Sequence, residues 1–177
     1  MSRTRKIVGT ALFAAIGIAL PLAFHSVPNA GRVFLPMHIP VLLCGLVCGF
    51  PYGLACGIAT PLLSGLLTGM PPPAMLPAMV CELAVYGLVS SLLARYAPVK
   101  NPYARIYAAL AGAMLSGRLV LGALNALLFS AGEYSLRVWL GGAFVTALPG
   151  IAAQVILIPA IVFSLRRAKL AEVYGVT

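Results

Sequence analysis

The chain has few charged residues, and those of negative sign are almost missing. Only 8% of its 177 residues are charged; it contains no aspartate, and its acidic residues are Glu82, Glu133 and Glu172. A soluble domain carries about 25% charged residues, so an ordinary soluble domain is excluded. A phosphate-binding glycine loop, an HExxH pair and a serine placed with a histidine and a base are also missing from the sequence. We therefore expect no enzymatic activity and no ATP hydrolysis by the chain itself.

Histidine and cysteine are too few and too scattered for a metal centre. The cysteines are Cys44, Cys48, Cys56 and Cys81, all in apolar segments. Cys44 and Cys48 share a helix face, but no histidine or carboxylate stands near these two in sequence to complete a metal site. Such cysteines are typically buried small apolar residues, so we expect no disulfide, no metal and no cofactor. The formal net charge is +9. Because the basic residues flank apolar segments, they indicate topology and not a nucleic-acid partner.

Long apolar runs dominate what remains, with 62% hydrophobic residues. The central run, 35–73, has no charged residue and is divided by Phe50-Pro51 into two helical segments, the first shorter than the roughly 20 residues that span a bilayer. Small residues recur every fourth position; they are Gly45, Gly49, Gly53, Gly57, Pro61, Gly65 and Gly69. Glycine is common in membrane helices, but this repeated spacing favours a face for close helix packing. A short segment also requires cover from other helices.

Six apolar segments predict an all-α integral membrane bundle formed by one domain, 1–177. The predicted helices are 7–24, 37–50, 52–68, 75–95, 104–130 and 136–165. One side of this arrangement holds Arg3, Arg5, Lys6, Arg95, Lys100, Arg105, Arg166, Arg167 and Lys169, whereas the other holds Arg32 and Arg137. By the positive-inside rule, both termini are cytoplasmic in a plasma membrane. The loops around Pro28, Pro72 and Glu133 then face outward.

Four polar residues stand within predicted helices, namely Glu82, Arg118, Asn125 and Gln154. A charge at the bilayer centre costs about 2.5–3.5 kcal/mol on insertion scales, so such residues usually face the bundle interior and have partners. Glu82 and Arg118 lie at similar depth and are expected to pair.

Helices 75–95, 104–130 and 136–165 would direct these groups into one outward-opening cavity. Tyr86 shares the face of Glu82, and His38 is expected at the outer start of the second helix, as an interfacial residue or a ligand contact. For Trp139 we favour an interfacial anchor over a lid. An ion pair that only fixes helix packing is the alternative for Glu82 and Arg118.

Several motifs follow one another along the chain: Leu35-Pro36-Met37-His38-Ile39-Pro40-Val41-Leu42-Leu43, the glycine-spaced hairpin, Thr68-Gly69-Met70-Pro71-Pro72, Glu82-Leu83-Ala84-Val85-Tyr86-Gly87 and Ser116-Gly117-Arg118-Leu119. In this order they resemble the substrate-binding S components of energy-coupling factor (ECF) vitamin transporters. The resemblance implies a six-helix protein that captures a vitamin from outside and docks on a transmembrane coupling subunit with two cytoplasmic ATPases. Its docking signature, small residues every fourth position on the first helix, is matched by Ala11, Ala15 and Ala19.

The ligand residues that the resemblance implies are Glu82, Tyr86, Arg118, Asn125 and Gln154, with the 25–37 and 69–73 loops. Substrate identity does not transfer within such a family. Arg118 with Asn125 suits a carboxylate such as pantothenate, whereas ligand pairing by Glu82 would suit a cationic or zwitterionic vitamin. Two other functions remain open, an independent secondary transporter or small channel and a structural membrane chaperone.

Overall fold

The computed structural model describes residues 1–24, 29–129 and 135–168, and within them all regular structure is helical. The α-helices are α1 (Arg3–Ala23), α2 (Ala30–Phe34), α3 (His38–Cys48), α4 (Tyr52–Thr68), α5 (Leu76–Tyr96), α6 (Pro102–Leu124), α7 (Leu136–Leu140) and α8 (Leu148–Arg167). Two π-helical segments, Asn125–Phe129 and Gly141–Thr146, follow α6 and α7. The predictions made for Pro28, Glu133 and Lys169, and the first part of the 25–37 loop, lie outside the described residues.

Helix α3 is the centre of the bundle. Each of its residues is buried except Ile39, which is half-buried. Helices α1, α4, α5 and α8 pack around it. An 11-residue helix is too short to cross the bilayer core alone. It is tolerated here because neighbouring helices, and not lipid, surround it, as the sequence predicted.

Glycines allow α4 and α5 to approach at backbone distance. A Cβ built on Gly57 would overlap the backbone of Leu83, and one on Gly87 would overlap the backbone of Gly53. In α3, a Cβ on Gly45 would overlap the side-chain hydroxyl of Ser90 and crowd Gly87 O. The small-residue packing face predicted from the spacing is therefore confirmed at Gly45, Gly53 and Gly57, whereas a Cβ on Gly69 would meet no atom within 4 Å.

Five helical stretches are long and apolar enough to cross a membrane: Arg3–Ala23, Ala30–Cys48, Leu76–Tyr96, Pro102–Leu128 and Leu148–Arg167. Two shorter apolar ones are Tyr52–Thr68 and Leu136–Thr146. The outer surface is strongly apolar, since Leu66 and Leu67 are 81% and 73% exposed. Such a surface is stable in lipid and not in water, so the chain is a multi-pass helical membrane protein.

The long helices predicted at 104–130 and 136–165 are not continuous α-helices. In the first, Asn125 Nδ2 donates to Leu121 O at 2.9 Å, and the ladder becomes π-helical from Asn125. This side chain competes for a main-chain acceptor, which disturbs the regular pattern. In the second, α7 and its π segment end at Ala147, and α8 starts with Pro149 in its first turn. Proline lacks an N–H to continue a preceding helix but fits the start of a new one. The predicted 25–36 loop also contains α2.

Candidate functional site

A buried cluster of ionisable side chains joins α3, α5 and α6. Arg118 Nη1 lies 3.2 Å from Glu82 Oε1, and His38 Nε2 lies 3.5 Å from the same oxygen. All three residues are buried: Arg118 is 5% exposed, Glu82 2% and His38 1%. The expected contact between Glu82 and Arg118 is present. His38, favoured as an interfacial residue, instead lies inside this cluster between Glu82 and Tyr86.

Tyr86 lines the same cluster one turn after Glu82. Its ring meets the His38 ring edge-on, with centroids 5.0 Å apart and planes at 83°. A Cβ on Gly117 would overlap the Tyr86 ring, so only glycine leaves room for it beside Arg118. Gly117 therefore supports the site, a role that we did not predict from the sequence. Its position directly before a buried charge was the available signal.

Several buried polar atoms of this region lack a hydrogen-bond partner among the described residues. They are His38 Nδ1 and Nε2, Glu82 Oε1, Arg118 Nε and Nη2, and Gln154 Oε1 and Nε2. Glu82 Oε1 thus makes close charge contacts without the directionality of a good hydrogen bond. Burying an unpaired polar group usually costs about 1–3 kcal/mol, so native proteins keep few of them. Most of these atoms are donors, which makes the cluster suited to accept a partner rich in acceptor oxygens.

Gln154 and Asn125 were also predicted to face this cavity, and for them that stays a prediction. Gln154 is fully buried on α8, and no hydrogen bond ties it to the described part of the cluster. Asn125 Nδ2 donates a hydrogen bond to Leu121 O of its own helix. The structure therefore joins His38, Glu82, Tyr86 and Arg118 closely, while Gln154 and Asn125 remain separate candidates.

Trp139 is bound to the protein beside the cluster. Its Nε1 donates to Arg118 O at 3.0 Å, and its ring lies over Gly122 and packs edge-on against Phe144. An interfacial anchor would direct this N–H toward the headgroups. Here the Trp139 N–H instead donates to the main-chain carbonyl of Arg118, so this hydrogen bond joins α7 to α6 at Arg118.

Three buried cysteines lie where α1, α3 and α4 meet. Cys44 Sγ is 3.7 Å from Thr10 Oγ1, Cys56 Sγ is 3.6 Å from Thr60 Oγ1, and all three thiols, with Cys48, are free. Within the described ranges, no group of three or more histidine, cysteine or acidic side chains has the geometry to hold a metal ion. These cysteines pack the junction between the helices.

The small residues of α1 divide into two faces. Ala14 and Gly17 are buried, and a Cβ on Gly17 would overlap Thr60 of α4. Ala11, Ala15 and Ala19 are exposed. The inner face of α1 thus packs on the bundle, and the face with the predicted docking residues is open to the surroundings.

A multi-pass helical bundle with a buried cationic and acidic cluster defines a membrane protein that handles a polar solute. The family model described as "ECF transporter, substrate-specific component" matches residues 5–162. The chain belongs to this family and is a substrate-binding transport subunit of an ECF importer, which works in a membrane together with an ECF module. No curated protein and no solved structure matches it.

Proposed function

We propose that this chain captures a small carboxylate-bearing micronutrient, pantothenate or a similar vitamin, from the outer side of a bacterial-type plasma membrane. The ligand carboxylate would lie against Arg118, with His38, Tyr86 and Gln154 contributing to the same cavity. The observation that carries this proposal is the guanidinium of Arg118, whose Nε and Nη2 are buried without an acceptor among the described residues. A planar carboxylate presents two oxygens to this fork of donors.

The position of Glu82 favours a carboxylate over a cationic vitamin. Its Oε1 already faces both Arg118 and His38. A cationic ligand would compete with Arg118 for this one carboxylate and would bring a second positive charge into a buried site. An anionic ligand instead adds the acceptors that Arg118 Nε and Nη2 lack.

The topology required for this function has six crossings with both termini in the cytoplasm. Helix α4, an apolar helix of 17 residues, would supply the sixth crossing beside the five longer stretches. The basic side chains at the start of α1, the end of α5, the start of α6 and the end of α8 would then face the cytoplasm. Delivery would follow docking on a transmembrane coupling subunit that works with two ATPases.

Native mass spectrometry tests the binding function directly. We expect the chain, purified after growth in rich medium, to retain one small carboxylate molecule per polypeptide, and the released molecule to be identified by its mass. An Arg105→Ala variant is the control, since Arg105 Nε donates to Val99 O away from the cluster. Failure of the wild type to retain any member of a panel of carboxylate vitamins, pantothenate included, would contradict the proposal.

Docking through α1 is tested by Ala15→Trp. The bulky ring would occupy the exposed face shared by Ala11, Ala15 and Ala19 and prevent close helix contact. We expect co-purification of the coupling subunit to fall at least tenfold, which corresponds to a loss of about 1.4 kcal/mol in the free energy of docking. Ligand retention should be unchanged. The matched control is Ala111→Trp, on an exposed position of α6. Equal co-purification of both variants would exclude this face as the docking surface.

A further inference from the structure

A groove of about 460 Å³ lies between the start of α6 and the end of α8, lined by Tyr103, Phe163, Ser164, Arg166 and Arg167. The Tyr103 and Phe163 rings pack at its floor, with centroids 4.3 Å apart. Tyr103 is 15 residues before Arg118 on the same helix, about 22 Å along its axis. The groove is therefore separate from the buried cluster.

Two exposed arginines give the groove its chemistry. Arg166 and Arg167 stand in the last turn of α8. Basic residues at such a position also balance the helix dipole and follow the general charge rule of membrane proteins. Those roles do not require an aromatic floor or a concave surface. A groove that combines guanidinium forks with an apolar floor at the membrane boundary fits a phosphodiester attached to a hydrocarbon chain.

An exposed apolar track continues from the groove along α8. Arg167, Ser164, Ala160 and Ile156 recur at helical spacing, so they share one face. Ala160 is exposed, and Ile156 is 69% exposed. From position 156 to position 167 the helix rises about 16 Å, which is close to half of a hydrocarbon core of about 30 Å. One acyl chain lying on this track would reach the bilayer midplane with its phosphate at Arg166 and Arg167.

We propose that the groove between α6 and α8 binds one anionic phospholipid of the surrounding bilayer, with its phosphate on Arg166 and Arg167 and an acyl chain along Ala160 and Ile156. The charge of the lipid complements the two guanidinium groups, and its chain matches the length of the track. This inference does not depend on the identity of the transported substrate.

Lipid retention in native mass spectrometry tests this site. The full chain is reconstituted in nanodiscs of equal phosphatidylglycerol and phosphatidylcholine, released, and scored for bound lipid. We expect one phosphatidylglycerol per chain, in preference to phosphatidylcholine. In the double variant Arg166→Gln with Arg167→Gln, its occupancy should fall about tenfold or more, since each cation near the surface contributes about 1 kcal/mol. The double variant Arg3→Gln with Arg5→Gln removes the same charge from another helix end and should retain the lipid.

The track has its own pair of variants. Ala160→Trp fills the path of the acyl chain and should lower phosphatidylglycerol retention several-fold, whereas Ala111→Trp on α6 should not. Equal losses in the two arginine double variants would show charge attraction without a site and overturn the proposal. Displacement of the lipid by millimolar inorganic phosphate would identify a free anion as the ligand and overturn it as well. Loss of the coupling subunit with unchanged lipid retention in Arg166→Gln with Arg167→Gln would assign the groove to a protein contact instead.

Discussion

Arg118→Ala is expected to abolish retention of the transported ligand, with a loss of affinity of at least a hundredfold. A hydrogen bond to a charged group contributes about 1.5–3 kcal/mol, and the proposed carboxylate would lose at least two of them. The same change removes the cation 3.2 Å from Glu82 and leaves this buried carboxylate beside His38 alone. Breaking a buried pair by removing one partner costs about 3–5 kcal/mol, so the melting temperature should also fall.

A second variant separates the two effects. Glu82→Gln combined with Arg118→Gln removes both charges, so no unpaired ion stays buried, and we expect the thermal stability to return close to that of the wild type. Ligand binding should not return, because the guanidinium is still missing. If the pair only holds helices α5 and α6 together, the double variant should bind ligand as the wild type does.

Trp139 provides the binding signal for these variants. It is the only tryptophan in the chain, and its Nε1 is bonded to Arg118 O. A ligand that contacts the Arg118 side chain should change its emission during a titration with pantothenate. The change should be missing in both Arg118 variants. An unchanged spectrum in the wild type with ligand retained by mass would place the ligand away from Arg118.

The parts of this fold that followed from the sequence are those fixed by one strong constraint. A charge-free helix too short to span the bilayer had to be surrounded by other helices, and α3 is indeed the buried centre of the bundle. Glycines at every fourth position had to allow close packing, and Gly53 and Gly57 do so against the backbone of α5. Glu82 and Arg118 at equal depth had strong reason to pair, because each is costly in lipid alone.

The parts that did not follow depend on local contacts and helix breaks, which the sequence pattern of polar and apolar residues does not reveal. Asn125 was predicted to direct its side chain into one cavity with Arg118, yet its Nδ2 donates to Leu121 O of its own helix. His38 begins a helix, which suggested the interface, but its ring packs against Tyr86 and its Nε2 lies 3.5 Å from Glu82 Oε1 inside the bundle. The division of the last predicted helix depended on Pro149 starting a new helix, and proline within membrane helices is common enough to hide this signal.

Gly57→Ala is expected to destabilise the protein although alanine is the better helix former. In an exposed helix the exchange of glycine for alanine stabilises by about 1 kcal/mol. At Gly57 the new Cβ would overlap the Leu83 carbonyl and crowd Ala84 Cα at 2.9 Å, and neither is a flexible side chain that can move aside. Overpacking of this kind costs about 1–3 kcal/mol, so the net change should be a loss of stability.

Gly31→Ala is the matched control, since Gly31 lies in α2 with no atom within 4 Å of its added Cβ. Its melting temperature should equal or exceed that of the wild type, opposite in sign to Gly57→Ala. Gly57→Ala should also weaken ligand binding, because Leu83 directly follows Glu82 and a displaced α5 carries this carboxylate away from Arg118. A melting temperature for Gly57→Ala equal to that of Gly31→Ala would mean that α4 and α5 can separate freely. The close approach of these two helices would then not be what holds Glu82 against Arg118.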